Sequence, residues 1–112
     1  MSRVVVTGST GAVGREICVG LAEAGHEVIG LDRRSSTAPA SEIELRTVDL
    51  AVTDLRAQLA DVEVVVHLAA GVTAGDQGTD GGRDRQAVME RLLAAASDAG
   101  VTHLVVRSSA MI

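Results

Sequence analysis

The sequence contains no phenylalanine, tryptophan or tyrosine, and all ten of its basic residues are arginine, so it has no lysine either. Any mechanism that needs a tyrosine or a lysine is therefore excluded within these 112 residues, as is a cofactor ring stacked on an aromatic side chain. Cys18 stands alone and has no partner for an intramolecular disulfide. Met1-Ser2-Arg3 leads straight into an apolar strand without the longer apolar segment of a signal peptide, which makes the cytoplasm the expected location. No apolar run approaches the ~18 residues that would span a bilayer. Cations are also in the minority. A formal net charge of -5 argues against a nucleic-acid or anionic-membrane partner, because either would need clustered positive charge to neutralise phosphates.

What is present is apolar, at 46% of residues, enough for the core of one domain. Strand-like and helix-like segments alternate. "RVVVTG" (Arg3 to Gly8) is a β-branched run ended by glycine, which reads as a strand buried on both faces. "AVGREICVGLAEAG" places Val13, Ile17, Leu21 and Ala24 on one helical stripe, with Gly25 as its stop, and Cys18 beside the stripe as a small buried hydrophobe. "EVIGLD" is a second strand, and "RRSSTAPAS", with the only proline, is loop. "EIELRTVDL" alternates as a third strand, "TDLRAQLADV" is a short helix with Thr53 as its expected N-cap, and "EVVVHLAAG" is a fourth strand. "GVTAGDQGTDGG" holds five of the twelve glycines and reads as a mobile loop. A helix is expected from about Asp84 to Ala99, stopped by Gly100, and "THLVVRSS" supplies a fifth strand. The order β-α-β-β-α-β-α-β argues for an α/β fold with a doubly wound parallel sheet of five strands, order 3-2-1-4-5, and helices on both faces. Right-handed crossovers then place the loops after strands one, two, four and five along one edge, where ligands bind.

At that edge "TGSTGAVG" spaces Gly8, Gly11 and Gly14 as Gly-x-x-Gly-x-x-Gly between a strand and a helix. Gly8 allows a tight turn, Gly11 lets backbone N–H groups approach a pyrophosphate, and Gly14 lets the helix pack closely on the sheet. Asp32 ends the second strand at about the ~20-residue offset expected for a carboxylate that accepts the ribose hydroxyls of an adenine dinucleotide. Asp32 favours NAD by repelling a 2′-phosphate, whereas Arg33 and Arg34 beside it could pair with one, which keeps NADP open. No Gly-Lys-Ser/Thr follows the glycines, so this is not a P-loop. Three scattered histidines and one cysteine offer no metal-ligand spacing. His67, at a strand end, has no evident partner to orient it as a base and reads as structural.

In "VTGSTGAVG", "GHEVIGLDRR", "VDL", "VVVHLAA", "LLAAASDAGV" and "VVRSSA", the chain resembles the extended short-chain dehydrogenase/reductase family, NAD-dependent epimerases and dehydratases that act largely on nucleotide sugars. The resemblance covers nearly the whole chain. It implies a Rossmann-like cofactor domain over residues 1–112. Ala12 and Val13 would meet the pyrophosphate through their backbone, Asp49 and Leu50 would bracket the adenine, and Leu68, Ala69 and Ala70 would let the cofactor lie against the strand end. Ser109, with Ser108 as its neighbour, corresponds to the Ser/Thr that hydrogen-bonds the substrate and is the one catalytic candidate.

Departures from the family pattern are equally plain. Arg85 stands where the family usually carries Asn, and Val88 and Met89 replace its Gly-Thr. The Tyr-x-x-x-Lys dyad that performs proton transfer is absent, and "RSSAMI" stops where the family's Tyr-Gly and then that dyad would follow. The expectation is a domain truncated after the fifth strand, whose exposed edge would form a homodimer or a strand swap or leave the protein unstable. Two functions are compatible with it: the NAD-binding portion of an epimerase, dehydratase or reductase, or a noncatalytic dinucleotide-binding sensor or assembly module.

Overall fold

The computed structural model describes residues 2–68 and 79–107. Eight elements follow in the expected order: β1 (Arg3–Thr7), α1 (Ala12–Glu23), β2 (Glu27–Asp32), β3 (Ile43–Thr47), α2 (Leu55–Gln58), β4 (Val64–His67), α3 (Thr79–Ala99) and β5 (His103–Val106). All four strand pairings are parallel, and the sheet order is β3-β2-β1-β4-β5. The central strand, β1, sets Val5 against Ile29 on one side and Val65 on the other. This is the Rossmann-like, doubly wound arrangement expected from the alternation.

Side chains alternate across the sheet with period two, so each β-branched run feeds two cores. Val4, Val6, Val28, Ile43 and Val66 pack with Cys18 of α1 on one face. Val5, Ile29, Leu31 and Val65 pack on the other face with Leu55 and Leu59 at α2 and with Leu92, Ala95 and Ala96 of α3. Helices therefore cover both faces. α1 and α3 end alike: Gly25 (φ +95°) and Gly100 (φ +80°) adopt the left-handed conformation. Their N–H groups bond Ala22 O and Ser97 O, and the following residues bond back to Leu21 O and Ala96 O, which closes each helix.

Three local expectations change. On α1 the residues that are buried are Gly14 and Cys18, while Val13 is 43% exposed. The helix approaches the sheet along the side without a side chain at Gly14, and Val13, about 100° further round, turns to the rim. At α2 the N-cap is Asp54, whose side chain accepts from Ala57 N–H, rather than Thr53. Either residue type can cap, and the chain's path selects between neighbours. α3 begins at Thr79, so Gly81 and Gly82, read as loop, are helical. Each glycine costs a helix only about 1 kcal/mol, which does not stop growth from an established helix. Among the described residues no helix is long and apolar enough to cross a membrane.

Candidate functional site

The C-terminal ends of β1, β2 and β4 meet at the glycine turn, and its three glycines answer three different demands. Gly8 has φ +73°, and its N–H is tied to Leu31 O at the end of β2 (2.9 Å). A side chain there would be strained. Gly14 is buried, and a Cβ would come within 2.1 Å of Gly8 O and 3.0 Å of Ser9 Cα, so its lack of a side chain sets the distance between helix and turn. Gly11 is different: its φ is -70°, and a Cβ would meet only Gly8 O at 3.6 Å, an ordinary contact. Nothing in the fold requires glycine at this position.

Gly11 is also the N-cap of α1, yet among the described residues no side chain caps that end, and no acid lies in its first turn. Gly11, Ala12 and Val13 are all exposed. The positive end of a twelve-residue helix is thus presented bare at the sheet edge, the arrangement that suits an anion. Ser9, inside the turn, is buried, and among the described residues its hydroxyl has no hydrogen-bond partner. Gly30 makes room for it, since a Cβ at that position would lie 2.6 Å from both Ser9 Oγ and Leu45 Cδ2. These features fit a dinucleotide, with a bare helix end for its pyrophosphate and a glycine that leaves its approach clear.

Asp32 is joined to the turn directly. Its Oδ2 accepts from the Thr10 N–H (3.1 Å) and the Thr10 hydroxyl (2.8 Å), and its Oδ1 accepts from the Arg34 N–H (3.1 Å). Burial opposes its ionisation, but the hydrogen bonds from Arg34, Thr10 and Arg33 outweigh it and hold the carboxyl below its ordinary value. The group is a fixed acceptor facing the edge. Arg33 and Arg34 expose their side chains, and Arg15 reaches the same rim by donating to Ser36 Oγ (3.2 Å). Among the described residues the one ion pair is Arg46 with Glu44, so none of the three rim arginines is neutralised there.

The other expected residues fall into three groups. Asp49 is exposed and organises its own turn: Oδ1 accepts from the Ala51 N–H (2.9 Å), and its carbonyl accepts from Val52 and Thr53. The Leu50 side chain lies in the core beside α2 and α3, which leaves only its backbone to meet a ligand, and the carbonyl of that backbone already accepts from Arg91. Leu68 donates its N–H to Thr7 at both carbonyl and hydroxyl, which binds the end of β4 to that of β1. Ala69, Ala70 and Ser109, like Ser108 and the segment 71–78 read as a mobile loop, lie outside the described residues.

Several contributors escaped the sequence. Thr10, Ser9 and Gly30 act through contacts across 20 or so residues that no local pattern encodes. His67 does have a partner, Thr7 Oγ1 at 2.7 Å, paired with it in register across β1 and β4. Burial pushes the His67 imidazole below its ordinary value. The imidazole and the Thr7 hydroxyl thus fasten β4 to β1 inside the sheet. Burial raises the Cys18 thiol, only partly offset by Arg15, which leaves it a packing group. Among the described residues no cluster of His, Cys, Asp and Glu could hold a metal ion.

Comparison with known proteins bears on this geometry. A family model described as the NAD dependent epimerase/dehydratase family matches residues 4–112. A 2-alkyl-3-oxoalkanoate reductase of Stenotrophomonas maltophilia is 36% identical over 72 residues, 64% of this chain and 19% of its own. A 3 beta-hydroxysteroid dehydrogenase/Delta 5-->4-isomerase of Mycobacterium tuberculosis is 34% identical over 118 residues, 97% of this chain and 32% of its own. The chain thus spans at most about a third of the curated relatives it matches. Among solved structures, MoeE5 in complex with UDP-glucose and NAD superposes with a TM-score of 0.81 at 29% identity, over 96% of this chain and 36% of that one.

Proposed function

The chain belongs to the NAD dependent epimerase/dehydratase family, and on that premise we propose that residues 1–112 form one NAD-binding domain of an oxidoreductase. The exposed N–H groups of Ala12 and Val13 at the start of α1 would hold the pyrophosphate. Asp32 would accept from the adenosine ribose, Asp49 and the Leu50 backbone would flank the adenine, and Leu68, Ala69 and Ala70 would lie along the nicotinamide half. NAD, when bound, supplies a hydride acceptor at its nicotinamide ring. What these residues contribute is placement: a bare helix end for negative charge and a fixed carboxylate for the ribose. Ser109 would hydrogen-bond the substrate, and the substrate class we favour is a nucleotide sugar or a related carbonyl compound. A cytoplasmic setting belongs to the same proposal.

The observation that carries this reading is Gly11. The fold gives it an ordinary φ and room for a Cβ, while the neighbouring Gly8 and Gly14 are required by backbone and packing. A glycine that the protein itself does not need, at the mouth of an uncapped helix, is explained by the close approach of another molecule. Calorimetric titration tests it. Wild-type protein should bind NAD more tightly than NADP, and Gly11→Ala should weaken NAD binding by roughly tenfold or more while its melting temperature stays near that of the wild type. Unchanged NAD affinity in Gly11→Ala would remove the main support, and tighter binding of NADP would overturn the NAD preference and assign the rim arginines to a 2′-phosphate.

A further inference from the structure

Arg91 lies midway along α3 and is half-buried, yet among the described residues it has no carboxylate partner. Its guanidinium instead donates to two backbone carbonyls of one turn: Nη1 to Leu50 O, and Nη2 to Thr53 O at 2.7 Å. That turn is the one Asp49 closes from within, through its Oδ1 to Ala51 and its carbonyl to Val52 and Thr53. Leu50 anchors the turn in the core, and Asp54 then caps α2. Asp49 thus takes three N–H groups of the turn, and Arg91 two of its carbonyls. The planar fork of an arginine can bridge two carbonyls at once, which the single ammonium of a lysine does less well. Asp49 Oδ2 carries no hydrogen bond among the described residues and is the acceptor left for a ligand.

We propose that Arg91 is a positioning residue for the adenine end of the cofactor site: by holding the carbonyls of Leu50 and Thr53 it fixes the 49–53 turn, and so sets how well Asp49 recognises the adenine 6-amino group. The inference rests on the placement of adenine beside Asp49 proposed above. Removing Arg91 leaves Leu50 seated in the core and α2 capped, so the fold persists while the turn is free to shift. A displacement of an ångström at an acceptor is enough to lose a directional hydrogen bond. General affinity for the pyrophosphate, which is held at α1, should change far less than discrimination at the base.

The experiment compares NAD with nicotinamide hypoxanthine dinucleotide, in which a carbonyl replaces the 6-amino group, by calorimetry on the wild type, Arg91→Lys and Arg91→Met. The wild type should prefer NAD by roughly tenfold, the worth of one hydrogen bond to a charged acceptor. Arg91→Met should bring the two affinities to within about twofold of each other, with Arg91→Lys between, and circular dichroism should show the fold retained. A role in stability alone would lower both affinities together and leave their ratio intact. Should Arg91→Met fail to fold, Arg91→Lys carries the comparison, since it keeps the charge and the stem. A full NAD preference in the folded variants beside the same preference in the wild type would overturn the role of Arg91 and leave the adenine placement standing. Equal binding of both dinucleotides by the wild type, or binding of neither, would overturn that placement and the inference with it.

Discussion

Asp32 shows how much a single carboxylate is asked to do at the sheet edge. It accepts both donors of Thr10 and the Arg34 N–H, and its pKa is lowered by these bonds despite partial burial. A native pKa below the unfolded value means stability that is fully present above about pH 4 and lost as pH falls through the native value. Thr10→Val removes one of those bonds, so the Asp32 carboxyl should titrate at higher pH by NMR and the acid loss of stability should become shallower. An unmoved titration would show that the Thr10 hydroxyl does not bond Asp32. His67 works in the same direction at a different pH. Its pKa is lowered by burial, so its neutral form is the folded one, and its contribution is present above about pH 6.5 and lost as pH falls below that through the native value. In His67→Asn, which can keep a bond to Thr7, the fall in stability as pH drops below about 6.5 should largely disappear from chemical denaturation curves. Persistence of that fall would assign it to another group.

For the elements, the turn from β1 to α1 is where chain conformation and function separate. Gly14 belongs to packing: a Cβ 2.1 Å from Gly8 O forces the helix or the turn to move. Gly14→Ala should cost about 1–3 kcal/mol of stability in urea denaturation, the usual range for overpacking, whereas Gly11→Ala should cost little. Equal stability of the two variants would contradict this division. The glycine spacing itself could be read from the sequence, but the different duties of the three glycines could not, because they depend on how closely a helix crosses a turn. The same holds along α1. Its length and its stop at Gly25 follow from local chemistry, while its inward side, Gly14 and Cys18 and not Val13, follows from its angle to the sheet. α3 extended through Gly81 and Gly82 because its later turns dock Leu92, Ala95 and Ala96 into the core, and tertiary burial outweighs local propensity.

At the scale of the molecule, the two edges of the sheet are unequal. β3 closes one edge with Glu44 and Arg46, paired with each other on the strand, a charged boundary of the kind that discourages further pairing. Among the described residues β5, "HLVV", is the strand at the other edge, and Val105 and Val106 are 53% and 45% exposed. We propose that this apolar edge brings two copies of the 112-residue chain together. Sedimentation velocity on the 112-residue protein should show concentration-dependent self-association, and Val105→Lys should shift it towards monomer. A wild-type monomer at all concentrations would rule out this edge as a contact.

The sequence by itself determined the strand-helix order, the parallel sheet and its strand order, and the glycine loop with its acid, because these follow from local periodicity, turn chemistry and the handedness of crossovers. Only the tertiary structure decided which groups share a partner. Thr10 meets Asp32, Thr7 meets His67, and Arg91 meets the turn at Leu50 across 41 residues of chain. Hydrogen bonds of this kind join residues brought together by the sheet and its packed helices. Their spacing in the chain carries no period, so no local pattern announces them.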